Sequence, residues 1–427
     1  MTTQRELRSY VEAIPVIDSH EHLPNESERL SQQVDFFTLF SHYCIDDLAA
    51  AGMSQKTIDM LLAPGETERK WKAFNSYYGL VAESSYFPCA RLAMRKFYDL
   101  DGLGSVKDAI LLTERIRAFN KIGLYQEVLK KSCNLVTSLN FTGTTTDREF
   151  FTPVTFVTHF AEVNTPAMLL QIEKDAGCSL TSLQRYTQAL GEILERERDM
   201  GTKGIKFHFA YMRPLYFETV TTADAECVFN RIMDEGQGWR AAVLGYEESR
   251  PLQDYLVHRL VECAVDLDLT IVFHVGFQAR SYMKLPDTRP GQLWSLLNRF
   301  RNARFNMLHA GIPWMDEAAV MAKHFPNLYL DMGWTHAMSP ELSYRAIKSY
   351  VDLLPRNKVI GFGGDYSVVE KVFGHLTLAR ENITRALSQK ISEGAISEKA
   401  ARRWAQALLH NNPIEAYNLD IQPLPHQ

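Results

Sequence analysis

From about Tyr125 the chain repeats one unit, a short apolar run followed by an amphipathic helical stretch. Apolar runs fall at 134–139, 151–157, 204–209, 269–274, 305–309, 328–331 and 359–365. Helical patterning fills 180–200, 252–266, 292–302, 315–324 and 339–353 between them. An earlier run at 14–23 brings the number of expected strands to eight. Strands joined through helices run parallel, and parallel strands covered on both faces read as continuous apolar runs. Eight such units predict an α/β fold whose sheet closes into a (β/α)8, or TIM, barrel. An open doubly wound sheet is the competing topology, but no glycine-rich nucleotide loop follows the first strand.

Two segments stand outside this rhythm. Residues 24–120 are mainly helical in pattern and far longer than an ordinary strand-to-helix loop. The segment starts at the carboxyl end of the first strand, so it is expected to cover or shape a pocket there. Its aromatics Tyr43, Trp71, Tyr77 and Tyr78 read as core. Residues 376–417 read as two amphipathic packing helices, broken at Glu393-Gly394 and closed by Asn412-Pro413. The whole chain, 1–427, is expected to form one barrel unit carrying these additions.

The formal net charge is -5 with both signs interspersed, which argues against nucleic acid or an anionic membrane as partner. No apolar run approaches a membrane span, and Arg5, Glu6 and Arg8 stand where a signal peptide needs apolar residues. The six cysteines are scattered, with no C-x-x-C pair. They read as reduced thiols in a cytoplasmic protein and argue against a cysteine zinc site.

The chemistry-bearing residues recur at one place, the carboxyl ends of the strands. His20 and His22 end the first strand, His274 the fifth, His309 the sixth and Asp365 the eighth. A lone histidine there is ordinarily a satisfied core residue, but five such residues in register point to a site. Alternation directs His20 and His22 to one face, and Glu21 to the other with no role assigned. On the fourth strand Ile205, Phe207 and Phe209 share the outer face, leaving Lys206 and His208 pointing inward. Imidazole and carboxylate ligands suit zinc, and also manganese or iron. Asp365 is placed to ligate such an ion or to take a proton from its water. His309 is placed to polarise a carbonyl or shuttle a proton. Tyr211, Arg213 and Arg280 follow strands four and five, where they would bind an anionic substrate. Trp314 and Trp334, after strands six and seven, offer an apolar pocket wall or, equally, barrel-rim packing.

An H-x-H ending strand one, histidines ending strands five and six and an aspartate ending strand eight resemble the amidohydrolase superfamily of metal-dependent barrels. Val272-Phe273-His274-Val275-Gly276, Leu308-His309-Ala310-Gly311, Asn327-Leu328-Tyr329-Leu330-Asp331 and Gly361-Phe362-Gly363-Gly364-Asp365-Tyr366 are similar to its amidohydrolase-2 branch. That branch includes decarboxylases and is related to uronate isomerases. The resemblance covers about 14–417. It implies a divalent metal held by His20, His22, His274 and Asp365, with His309 catalytic or substrate-binding. It favours one metal, while Lys206 or His208 leaves room for a second. Hydrolysis of an amide, lactone or ester of a small carboxylate-bearing substrate is the leading expectation. Decarboxylation or uronate-type isomerisation at the same site is the alternative, and a non-catalytic binding barrel is a weaker one. A homo-oligomer is compatible with the sequence.

Overall fold

The computed structural model describes residues 2–142, 145–235, 243–280 and 282–425. Its strands are β1 (Val16–Glu21), β2 (Leu135–Asn140), β3 (Phe151–Pro153), β4 (Thr155–Phe156), β5 (Gly204–Phe207), β6 (Thr270–Phe273), β7 (Phe305–Met307), β8 (Leu328–Asp331) and β9 (Val359–Ile360). They pair in parallel, in the orders β1-β2-β3 and β4 to β9. Only Val154 separates β3 from β4, and it stays in the ladder by donating to Asn140 O. Its two halves pair with β2 and β5, so β3 and β4 act as one stave among eight. The seam between the first and last staves closes through Ser19 N to Phe362 O at 3.1 Å and Asp365 N to His20 O at 2.6 Å. The sheet is therefore a closed barrel, not the open doubly wound alternative.

Alternation along the strands divides the core in two. Ile205, Phe207, Ile271, Phe273, Phe305, Met307, Leu328 and Leu330 pack outward in the large cluster shared with the helices. Ile17, Leu139, Val154, Val272, Tyr329 and Ile360 fill the barrel, where Tyr417 and Leu419 of the tail join them. Thr270 Oγ1 donates to Ala416 O and Asn306 Nδ2 to the Tyr417 hydroxyl, so the tail stoppers the barrel. The C-terminal helices Val369–Ser392, Glu398–Gln406 and Asn412–Tyr417 thus do more than pack outside.

The helices over Leu183–Asp199, Tyr246–Asp266, Met315–His324 and Pro340–Leu353 follow the expected pattern. Ser182 and Ser339 start two of them by accepting from Arg185 N and Leu342 N. The expected helix at 292–302 is shorter, Trp294–Arg299 after a 3₁₀ turn. No described helix is long and apolar enough to cross a membrane.

The segment after β1 is helical as expected, with α-helices Glu26–Ser31, Cys44–Ala50, Gln55–Leu62, Thr67–Val81, Phe87–Tyr98 and Val106–Phe119. Its own core is aromatic: the Phe74 ring lies 5.7 Å from Phe36 and 5.0 Å from Phe40. Trp71 packs in this core, whereas Tyr43 turns out of it, toward the barrel mouth.

Candidate metal centre

The loop after β9 lies flat on the end of β1, and its glycines permit this. A Cβ on Gly363 would stand 2.7 Å from Ser19 Oγ, and one on Gly364 1.7 Å from Glu21 Oε1. Asp18 Oδ1 accepts from both His20 N and Gly364 N, and Glu21 Oε2 accepts from Tyr366 N at 2.8 Å. These carboxyls hold the loop so that Asp365, at φ 59°, reaches over His20. His309 at φ 63° and Trp334 at φ 69° share this left-handed backbone. Such strain costs energy in ordinary residues and collects at working sites.

The three functional atoms converge. His20 Nε2 and His22 Nε2 lie 3.2 Å apart, and each is 3.4 Å from Asp365 Oδ1. One ligand atom from each residue falls within 4.8 Å of the others. Burial holds His20 well below its ordinary value and His22 down at about 4. Burial works against the ionised form of Asp365, but His20, His309 and His22 hold its carboxyl well below the usual carboxylate range. Neutral imidazoles and an ionised carboxylate are the donor state a divalent ion needs. His20 Nδ1 is buried without a hydrogen-bond partner among the described residues. The donor set fits a divalent cation.

His274 stands beside this group but outside it. Its Nε2 meets Phe277 O at 2.8 Å and its Nδ1 meets His309 Nε2 at 3.0 Å. His309 Nδ1 meets Gly333 O at 2.9 Å and lies 3.7 Å from Asp365 Oδ2. Of the two inward residues on β5, Lys206 reaches the centre: its Nζ is 3.3 Å from His20 Nε2 and 4.9 Å from the centre of the Phe141 ring. Burial brings its pKa down to about 7. His208 begins the turn after β5, where its Nδ1 pairs with Thr158 Oγ1 at 2.9 Å.

A cavity of about 760 Å³ opens above these residues, bounded in part by His208, Tyr211 and Arg280. Arg280 is exposed at its rim. Tyr211 accepts from Ala279 N and lies with its ring 4.8 Å from His274. Arg213, expected beside them, is directed elsewhere. Its guanidinium is 2% exposed and donates to Asp254 Oδ1 at 2.6 Å, Gln253 Oε1 and Tyr216 O. Four of its five N–H donors are engaged within the fold, with Nε on Pro214 O, and it does not bound the cavity, so Arg213 is corrected to a structural residue. Trp314 and Trp334 bound neither this cavity nor its neighbour. Trp334 is buried behind the site, stacked 4.4 Å from Tyr43.

Among the polar residues of the cavity, His42 and Asp46 carry no sequence expectation, and Tyr43, expected in the core, also bounds it. The Tyr43 hydroxyl donates to Asp365 Oδ1 at 2.8 Å. The one available signal was positional, since the segment after strand one starts at the site.

A sequence model described as Amidohydrolase matches residues 182–419, more than half of the chain. The chain belongs to the amidohydrolase family. The match contains Lys206, His274, His309 and Asp365 of this amidohydrolase but begins after His20 and His22. Whole-chain similarity comes from solved structures. Uronate isomerase of Thermotoga maritima shares 14% identity at a TM-score of 0.79, with 97% of each chain covered. Glucuronate isomerase of Caulobacter crescentus shares 16% identity at a TM-score of 0.79, over 100% of this chain and 96% of that one. A Lactobacillus casei protein described as a metal-dependent hydrolase shares 17% identity at a TM-score of 0.66, over 96% and 97%. These similarities show the same fold over nearly the whole chain. Protein fluG of Emericella nidulans is 22% identical over 182 residues, 41% of this amidohydrolase and 21% of fluG. The aligned part therefore spans about a fifth of that relative's length. The protein is an enzyme of the amidohydrolase family with a candidate site for a divalent metal.

Proposed function

We propose that this amidohydrolase is a hydrolase of small, anionic substrates that works with one divalent metal held by His20, His22 and Asp365. The observation that carries the reading is the convergence of two imidazole nitrogens and one carboxylate oxygen at the floor of the cavity. Zinc suits that donor set, and manganese or iron suit it too. His274 is the next candidate ligand, one ring removed. A divalent ion in this place supplies Lewis acidity toward water and toward a carbonyl oxygen.

The protein's own groups supply the rest. Asp365 accepts the proton of the attacking water and returns it to the leaving nitrogen or oxygen as the amide, lactone or ester bond breaks. Tyr43, donating to Oδ1, fixes the carboxylate so that Oδ2 faces His309. His309, touching both Asp365 and His274, suits the proton-shuttle role better than the carbonyl-polarising one. The side chain of Arg280 is at the rim, where a substrate carboxylate would meet it, with Tyr211 beside it. Lys206 stands over the floor with no carboxylate in contact among the described residues, ready to receive an anionic oxygen. His42, Tyr43 and Asp46 bound the same cavity. The free cysteines fit a reducing compartment such as the cytoplasm.

Elemental analysis is the first test. We expect one divalent ion per chain, and its loss in His20→Ala and Asp365→Asn. Unchanged metal content in both variants would sink the assignment. Turnover in oxygen-18 water then separates the chemistries. Hydrolysis places label in the product. The second reading, isomerisation of a sugar acid, draws support from the two isomerase structures that match over nearly the whole chain. It would give an aldose-to-ketose change with no label from hydrolysis, and decarboxylation would release carbon dioxide.

A further inference from the structure

A second cavity, of about 490 Å³, lies on the far side of His22. His22 bounds both cavities, and its side chain is 28% exposed where that of His20 is 1% exposed. The second cavity is built by the segment after β1, from 32–41, 61–65 and Arg117, and by 367–368 after Asp365. It is large enough to hold a small-molecule arm.

Its charges decide what it would hold. Lys70 is spent on Asp35 at 2.5 Å, and the Glu28 carboxylate is turned back onto Asn25 as a helix cap. Arg117 uses Nε on Val34 O, and among the described residues its terminal N–H groups have no recorded partner. Gln32, Gln33 and Ser41 add amide and hydroxyl groups. Arg117 is exposed at this cavity, and with Lys70 paired to Asp35 it is the cation of the lining left without a carboxylate among the described residues, so its donors suit a carboxylate or a hydroxylated chain.

We propose that the centre opens on two chambers, and that the second holds a further, distal carboxylate-bearing arm of an elongated substrate whose reacting bond lies over His22. This rests on the reading of His20, His22 and Asp365 as the metal centre. The reacting end then enters past Arg280 and the distal end is read by Arg117. It also gives the long segment after β1 a reason to exist, since that segment walls the second chamber.

The test uses hydroxamates, which chelate divalent ions, with zinc-loaded protein and calorimetry. Acetohydroxamate probes the metal alone. The monohydroxamates of succinic, glutaric and adipic acid add a carboxylate arm of increasing length. At least one arm is expected to tighten binding over acetohydroxamate, and Arg117→Ala to remove roughly tenfold or more of that gain, the loss of a charge-assisted hydrogen bond. Ala63→Trp, at an exposed position in the chamber wall, is expected to remove the gain by filling space, with acetohydroxamate binding unchanged in both variants. Survival of the gain in both variants, or its loss in Arg280→Ala instead, would place the arm in the first chamber and overturn the proposal. Failure of acetohydroxamate itself to bind would remove the metal centre, and the proposal with it.

Discussion

Tyr43 donates to the same oxygen of Asp365 that faces both imidazoles. A donor at that point orients the carboxylate, as partners just outside a metal's ligands generally do. Tyr43→Phe keeps the ring stacked on Trp334 and removes only the hydroxyl. We expect roughly 10- to 100-fold weaker metal binding, the usual cost of losing such a partner, with thermal unfolding of the metal-free protein unchanged. Competition with a chelator measures it. Gly364 makes a harsher demand, because an added Cβ collides with the Glu21 carboxyl, which backbone contacts already hold. Gly364→Ala is expected to displace the loop and lower both metal content and melting temperature, while Gly394→Ala, whose Cβ meets nothing within 4 Å, serves as the strain control at φ 73°.

At the scale of elements, Arg213 pins the turn after β5 to the helix Tyr246–Asp266 through Asp254. Asp254 Oδ2 also accepts from Glu218 N, so both of its oxygens are committed. Removing the guanidinium leaves a buried carboxylate without its cation, a loss of about 3–5 kcal/mol. Arg213→Ala should show that loss in chemical denaturation while metal content holds at one ion per chain; a drop in metal without a drop in stability would return Arg213 to the site. The same residue marks where the sequence stopped being legible. Buried parallel strands announce themselves as apolar runs, and a histidine or aspartate closing such a run stands out against them. For that reason the eight staves and the places of His20, His22, His274, His309 and Asp365 could be read directly. Partners distant in sequence could not. Asp254 lies 41 residues from Arg213, and Asp365 lies 322 from Tyr43. Local irregularity was equally hidden. Pairing of β1 slips between Asp18 and Glu21. Glu21, which alternation sent to an idle face, is buried and grips the backbone of Tyr366.

For the whole molecule, burial of neutral histidines sets the acid limit. His336 and His375 are buried behind the loop after β9, and burial brings their pKa values down to about 4 and about 3. Both folded values lie below the ordinary 6.5, so the unfolded chain takes up protons first as pH falls. Their stabilisation is complete above pH 6.5 and is lost progressively below it, down toward pH 4. Each contributes a slope of up to about 1.4 kcal/mol per pH unit in that window. Urea unfolding of the metal-free protein at pH 7, 6 and 5 should show a falling midpoint, and His336→Asn should flatten the fall. A further property follows from the seam, where His20 on the first stave meets Asp365 beyond the last. His20 precedes Asp365 by 345 residues. At a synthesis rate of about 5–20 residues per second, roughly 20 to 70 s separate their appearance at the ribosome. A nascent chain therefore has no assembled centre with which to capture an ion during most of translation. With His20, His22 and Asp365 as the proposed ligands, metal would be acquired only by a chain whose barrel has closed, so scarcity of the ion would leave folded, empty protein rather than arrested intermediates.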